Sequence, residues 1–272
     1  FKQKTAYEIS ECLVRSEMSI RDSHRGGAAM IYLDNAATTY PKPFSVLETV
    51  YRANRKYAYN SGRGGYRESV QTAEKIFAVR DCLGRFFHCP EQNIVFTNNC
   101  TTAVNTALKG LLKPGDHVLI SALEHNAVFR PIYKLAREGR ITYDQVPYHP
   151  DPDRFLQNIR ALEQPNTAMV AMLHASNVFG VVHPLGLVGD YCRRKGWLFV
   201  VDAAQSAGIL PIDMQAMHIS ALCAPGHKSL FGTMGTGVLA LADGISGTRV
   251  MQPANNAVTV SYTHLRAHET LA

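Results

Sequence analysis

Short runs of valine, isoleucine and leucine alternate with stretches of helical periodicity, and this alternation limits the folds open to the chain. The strand runs include NIVFT at 93–97, HVLIS at 117–121 and AMVAML at 168–173. A helical pattern occupies 67–87, where apolar residues recur at three- and four-residue steps. Apolar strands separated by helices predict a three-layer αβα fold, with a mostly parallel sheet covered on both faces.

Composition and spacing exclude several classes of function. The 272 residues carry a formal net charge of +6 with no long basic run, which does not indicate nucleic-acid binding. The six cysteines form no CxxC pair and the eleven histidines no HExxH, so we expect reduced thiols in a cytoplasmic protein and no metal site. No apolar run is long enough to suggest a membrane span.

Polar residues follow four of the predicted strands, at the point where each strand ends. They are Asn98, Asn99, Cys100 and Thr101; Glu124, His125 and Asn126; His174, Ser176 and Asn177; Asp202 and Gln205. Each group alone is also typical of helix N-caps and loops. Because ligands of open α/β sheets bind beyond the carboxyl ends of the strands, their coincidence at one edge predicts a shared site.

Lys228 stands in CAPGHKSLFG at 223–232, where Asp213 and Asp243 are the nearest other charged residues. A solvated surface lysine is the ordinary interpretation, but an amine in apolar, glycine-rich surroundings can also act as a nucleophile. A phosphate loop would require GxxxxGK[ST], and His227 occupies the place of its second glycine. A nucleotide-binding loop is therefore excluded, and a covalent role for the lysine stays open.

Pyridoxal phosphate is the cofactor that suits this set of residues. Its aldehyde reacts with a lysine, and its ring withdraws electrons when a carboxylate keeps the pyridine nitrogen protonated. Its phosphate binds well at a helix N-terminus, and NNCTTAVN at 98–105 provides such a helix start. We therefore predict pyridoxal phosphate as the cofactor.

Six motifs, in order from about Met30 to Ala242, resemble the class V aminotransferase superfamily and most closely its cysteine desulfurase group. They are MIYLDNAATT, FTNNCTTAVNTALKG, LEHNAVFRP, HASNVFGVVHP, VDAAQSAGILPID and PGHKSLFG. The resemblance implies the large domain of a type I pyridoxal-phosphate-dependent transferase acting as a homodimer. It also implies conversion of L-cysteine to L-alanine, with sulfur passing to an enzyme persulfide and then to a sulfur-acceptor protein.

The resemblance further implies a role for each matching residue. Lys228 would bind the aldehyde and, with His125, move protons. The remaining cofactor contacts would be Asp202 at the pyridinium nitrogen, Gln205 and Asn177 at the phenolic oxygen, His125 stacked on the ring, and Thr101, Cys100 and His227 at the phosphate. Residues bordering the substrate would be Asn35, Ala36, Arg63 and Asn177.

The sequence also departs from the family pattern. Pro225 stands where the family usually has a phosphate-binding hydroxyl. We expect residues 30–250 to form the cofactor-binding large domain, with the small C-terminal domain, its persulfide cysteine and its substrate-binding arginine missing. Residues 1–29 would be an unassigned extension and 251–272 a tail unrelated to the family, either of which could be read-through. Alternatives are a selenocysteine lyase, an aminotransferase or an epimerase of the same superfamily, or an inactive fragment or scaffold.

Overall fold

The computed structural model describes residues 31–62 and 64–245. Chain contacts divide the molecule into two units, residues 1–35 and residues 36–272. In the first unit the described residues are 31–35, where the Tyr32 hydroxyl donates to the Asp34 carbonyl at 3.0 Å. The sheet, helices and candidate site below all belong to the second unit. The predicted limits 1–29, 30–250 and 251–272 fall on residues outside the described part and stay predictions.

A seven-stranded sheet forms the centre of the second unit, in the order β1-β7-β6-β5-β4-β2-β3. Its strands are β1 (Ile94–Thr97), β2 (His117–Ser121), β3 (Thr142–Val146), β4 (Thr167–Leu173), β5 (Leu198–Asp202), β6 (Ala221–Pro225) and β7 (Gly237–Leu241). Six strands run in one direction, and β7 runs antiparallel to both of its neighbours. The predicted mostly parallel sheet is confirmed.

The reversal of β7 follows from its connection to β6. A parallel return needs a crossover of about a dozen residues or more, usually a helix. Residues 226–236 contain no helix, so the chain turns back and β7 pairs antiparallel with β6.

Helices cover both faces of this sheet. The described α-helices are α1 (Phe44–Lys56), α2 (Arg67–Phe87), α3 (Cys100–Leu111), α4 (Asn126–Arg137), α5 (Pro152–Ala161) and α6 (Leu185–Lys195). In β2, Val118 and Ile120 belong to the core cluster of α3 and α4, whereas Leu119 belongs to that of α5 and α6. Successive strand residues point to opposite faces, so one strand supplies both cores of a three-layer αβα fold. Among the described helices, none has the length and hydropathy needed to cross a membrane.

Helix α2 has the predicted bounds, but most of its large apolar residues are exposed. Val70, Phe77, Val79 and Phe86 are 47–50% exposed. The residues of α2 that are buried are Ser69, Thr72, Arg80, Gly84 and Phe87. Helical periodicity thus predicted the helix, while tertiary contacts selected a different face for packing.

Candidate functional site

A cavity of about 110 Å³ lies at the carboxyl edge of the sheet. It is lined by residues that follow β1, β2, β4, β5 and β6, the strands whose carboxyl ends share this edge. Eight residues that the sequence predicted for the cofactor line it together: Cys100, Thr101, His125, Asn177, Asp202, Gln205, His227 and Lys228. The parallel strands therefore bring into one place side chains that are up to 128 positions apart in the sequence.

Asp202 is the acidic group of this cavity. It ends β5 and is 4% exposed, and its Oδ1 accepts the Ala204 N–H at 2.9 Å and the Cys100 thiol at 3.4 Å. Burial raises the pKa of Asp202, although these two donors and the charges of His125 and Lys228 oppose the rise. Within the described residues Asp202 forms no ion pair, so a cationic ligand group would stabilise its ionised form.

The N-terminus of α3 supplies a site for an anion. Asn99 is the N-cap, and its side-chain oxygen accepts the Thr102 N–H at 2.7 Å, as expected for an asparagine at a helix start. The N–H groups of Cys100 and Thr101 precede the first intrahelical hydrogen bond, which Ala103 donates to the Asn99 carbonyl. Both residues line the cavity, where the helix dipole favours negative charge.

His125 is both a helix cap and a wall of the cavity. Its Nδ1 accepts the Ala127 N–H at 3.1 Å at the start of α4. The neutral ring therefore carries its proton on Nε2. The cap fixes the imidazole on the backbone and leaves Nε2 for another contact.

The backbone around Lys228 is held by a segment from the beginning of the second unit, residues 38–42. The Thr39 hydroxyl donates to the Lys228 carbonyl at 2.8 Å, and the Thr38 hydroxyl donates to the His227 carbonyl at 3.0 Å. Lys42 Nζ donates to the same His227 carbonyl at 2.6 Å. We call residues 38–42 the clamp segment. It fixes the main chain of Lys228 while the Lys228 side chain lines the cavity.

His227 lies among cationic groups. Burial, followed by the charges of Lys228 and Lys42, lowers its pKa. Its Nδ1 lies 3.2 Å from the Thr38 hydroxyl, so the ring is fixed at that nitrogen. Pro225 lines the cavity nearby with no hydroxyl to offer an anion.

The remaining predicted residues fall into three groups. Asn177 and Gln205 line the cavity, and Gln205 Nε2 donates to the Ala36 carbonyl at 3.0 Å. Ala36 thus contacts a cavity residue through its main chain. Asn35 belongs to the first unit and Arg63 lies outside the described residues, so their predicted substrate contacts stay predictions.

The thiols near the site are buried. Cys100 lines the cavity and Cys223 lies within β6, and burial raises the pKa of each thiol well above its usual range. Reactive cysteines are ionised and accessible, which these two are not. The structure therefore fits the interpretation of Cys223 as a core residue.

Two charged residues of this region carry no predicted role. Lys42 belongs to the clamp segment, and Glu124, whose carboxyl is buried, precedes His125. The position of Glu124 after a strand was a signal for the site, whereas Lys42 gave none because lysines are ordinarily solvated.

The donor set of the cavity fits pyridoxal phosphate. The cofactor needs an amine for its aldehyde, a carboxylate for its ring nitrogen and an anion site for its phosphate. Lys228, Asp202 and the N-terminus of α3 provide these three groups around one cavity. The buried carboxylate of Asp202, which forms no ion pair among the described residues, is the observation that most favours a pyridinium ring here. Among those residues, no group of three or more histidine, cysteine or acidic side chains is placed to hold a metal ion.

Comparison with known proteins gives a consistent result. The family model described as Aminotransferase class-V matches residues 31–263. The chain is 34% identical over 218 residues to the cysteine desulfurase IscS of Shewanella baltica (strain OS223), covering 77% of this chain and 52% of that protein.

Two solved structures agree with this match. A cysteine desulfurase from Thermococcus onnurineus NA1, solved in its apo form, superposes with a TM-score of 0.71 at 30% identity, covering 78% of this chain and 54% of that one. The cysteine desulfurase CsdA of Escherichia coli gives a TM-score of 0.66 at 28% identity, covering 77% and 53%. The chain thus spans about half the length of the cysteine desulfurases it matches.

Proposed function

The chain belongs to the class V aminotransferase family, and from this we propose that it functions as a pyridoxal-phosphate-dependent cysteine desulfurase. Such an enzyme converts L-cysteine to L-alanine and passes the sulfur to an enzyme thiol. The observation that carries the proposal is the meeting of Lys228, Asp202 and the α3 N-terminus around one cavity. The similarity to cysteine desulfurases supports the choice of reaction within the family.

The described residues can bind and orient the cofactor. Asp202 would hold the protonated ring nitrogen, and the N–H groups of Cys100 and Thr101 the phosphate. When bound, pyridoxal phosphate withdraws electrons from the bonds at the α-carbon of an amino acid. Lys228 Nζ, held by its clamped main chain, would accept or donate the proton at that carbon.

His125 is the second proton carrier of the proposal. Its ring nitrogen Nδ1 is occupied by the cap of α4, which leaves Nε2 to exchange a proton with the substrate. Asn177 and Gln205 would orient the ring from the ends of β4 and β5.

The sulfur step balances without a further reagent. The carbon–sulfur bond of cysteine breaks and a sulfur–sulfur bond forms with an enzyme thiol. The proton of that thiol is retained in the methyl group of alanine, so the substrate carbon is reduced and sulfur is oxidised to the persulfide level. Of the described cysteines only Cys100 lines the cavity, and its thiol is buried, whereas exposed Cys82 does not line it. We therefore propose that the accepting thiol is none of the described cysteines.

A second copy of the chain and a sulfur-acceptor protein complete the proposal. Large apolar residues are exposed in the loops that follow β4, β5 and β6: Val178, Phe179, Ile209, Phe231 and Met234. An exposed apolar area beside a site is typical of an interface, which supports a homodimer.

The five described cysteines are free, which supports a location in the cytoplasm, where thiols stay reduced.

The first test asks whether pyridoxal phosphate binds covalently at Lys228. The purified protein is mixed with the cofactor, its visible absorbance is recorded, and the product is reduced with borohydride and digested for mass spectrometry. We expect the adduct on the peptide containing Lys228, its loss in Lys228→Ala, and its retention in Lys109→Ala, which changes an exposed lysine of α3. An adduct that persists in Lys228→Ala would refute the assignment. Formation of alanine from L-cysteine then tests the reaction itself.

A further inference from the structure

Glu124 joins the ends of two strands that form walls of the cavity. Its Oε1 accepts the hydroxyl of Ser121, the last residue of β2, at 2.5 Å, and the N–H of Leu173, the last residue of β4, at 2.9 Å. Leu173 lines the cavity, and so does His125, which follows Glu124 directly in the chain. Through Oε1, the Glu124 side chain therefore connects the ends of β2 and β4, the two strands that precede these cavity residues.

The other oxygen of Glu124 is buried and, within the described part of the chain, has no hydrogen-bond partner. Among those residues Glu124 also forms no salt bridge. An ionised carboxylate here would be a buried charge without a counter-ion, which costs far more than a buried neutral acid. The hydrogen bonds to Oε1 serve either form, whereas the unpartnered oxygen favours the neutral one.

The charged group that acts on Glu124 is Asp202, at the end of β5, and its charge has the same sign. Two histidines are its neighbours through the chain: His125 follows Glu124 directly, and His174 follows Leu173, whose N–H Glu124 accepts. Burial raises the pKa of Glu124 to about 8, the hydrogen bonds from Ser121 and Leu173 lower it in part, and the charge of Asp202 raises it further. Burial likewise lowers the pKa of His174 to about 4, so that imidazole is neutral where Glu124 titrates.

We propose that Glu124, as a neutral acid, is a positioning residue that holds His125 and Leu173 in the arrangement required for cofactor binding. The inference rests on the proposed function, because the ligand of the cavity is taken to be pyridoxal phosphate. Loss of the Glu124 proton would place a second negative charge near Asp202. It would also favour the entry of water at the hydrogen bonds by which Glu124 connects β2 and β4. The cofactor would then bind less tightly.

The test compares the protein with Glu124→Gln, which keeps the acceptor oxygen for Ser121 and Leu173 but cannot ionise. Glu74→Gln, at an exposed glutamate of α2, is the matched control. Two quantities are measured. The affinity for pyridoxal phosphate, from visible absorbance, is measured below and above about pH 8, and the urea midpoint of the protein without added cofactor is measured from about pH 5 to about pH 9.

In the unsubstituted protein and in Glu74→Gln, we expect the cofactor affinity to fall above about pH 8, by up to about tenfold for each pH unit. In Glu124→Gln this decrease should be absent, and the affinity at neutral pH should stay within about threefold of the original. The urea midpoint of Glu124→Gln should exceed that of the unsubstituted protein by an amount that grows as the pH rises from about 4.5 to about 8 and is constant above that, because in this range only the unsubstituted protein takes up a proton on folding.

Three results would overturn the inference. Weak cofactor binding by Glu124→Gln at neutral pH would mean that an ionised carboxylate is required. An unchanged alkaline decrease would assign the titration to another group, and failure of Glu124→Gln to fold would contradict a neutral acid at this position. If no protein bound the cofactor at any pH, the proposed function would fail, and the urea midpoints would still report whether Glu124 is neutral.

Discussion

Replacing His183 with phenylalanine should remove much of the acid sensitivity of the fold. The His183 side chain is 1% exposed and packs against the rings of Tyr148 and Phe155, with centroids 5.6 Å and 5.1 Å away. Its ring nitrogens form no well-aligned hydrogen bond within the described residues. Burial and the neighbouring His174 lower its pKa to about 4, while the nearby Leu173 main chain opposes the shift slightly.

The size of this effect on stability follows from the difference between the pKa of His183 in the folded chain and in the unfolded chain. The unfolded chain binds the proton with a pKa near 6.5, and the folded chain only near 4. The stability contributed by the neutral ring is therefore present above about pH 6.5 and is lost as the pH falls through about 4. At about 1.4 kcal/mol for each pKa unit, the loss amounts to about 3 kcal/mol of unfolding free energy.

Urea denaturation at about pH 7.5 and about pH 4.5 measures this effect. The unfolding free energy of His183→Phe should fall by about 2.5 kcal/mol less on acidification than that of the unsubstituted protein. Any constant packing cost of phenylalanine cancels in this comparison. An equal loss of stability in His183→Phe and the unsubstituted protein would refute the reasoning.

Two further predictions concern packing. In Gly189→Ala, the new methyl group would overlap the Met217 carbonyl, so thermal denaturation should show a loss of about 2 kcal/mol or more; Gly186→Ala, in the same helix α6 with open space, should be neutral or slightly stabilising. A similar loss in both would mean that the Met217 contact is not the cause. A thiol reagent should label exposed Cys82 in the native protein and reach Cys100, Cys192 and Cys223 only after unfolding, as followed by peptide mass spectrometry. Equal labelling of Cys82 and Cys223 without denaturant would contradict the burial.

Periodicity was sufficient for much of the fold. Helix α2 was predicted at 67–87 and β2 at 117–121, the bounds that the structure has. Both segments have strong, unbroken patterns, which local sequence specifies well. Helix α1 was not predicted, although Phe44, Leu47 and Tyr51 recur in it at three- and four-residue steps; none of its residues is buried. The strand β6 was read only as a short segment, because ALCAP is brief and ends in proline.

Much of the candidate site could also be predicted, because its residues follow strands that the sequence indicates to be parallel. Polar residues at strand ends indicate a site once the strands are known to be parallel, and so Asp202 and His125 could be named. Lys42 could not be, because its contact with the His227 carbonyl joins parts of the chain 185 positions apart. Such a contact depends on the tertiary arrangement, which neither periodicity nor spacing encodes.

The clamp segment has a consequence for the way this chain folds during its synthesis. Thr38 leaves the ribosome well before its hydrogen-bond partner His227, which follows 189 positions later. At about 5–20 residues per second, that interval lasts roughly ten to forty seconds, during which the threonine and lysine donors of the segment lack the carbonyl partners that they have in the folded chain. The Lys228 main chain is fixed only when the two distant segments meet, so productive loading with cofactor must follow the synthesis of both segments.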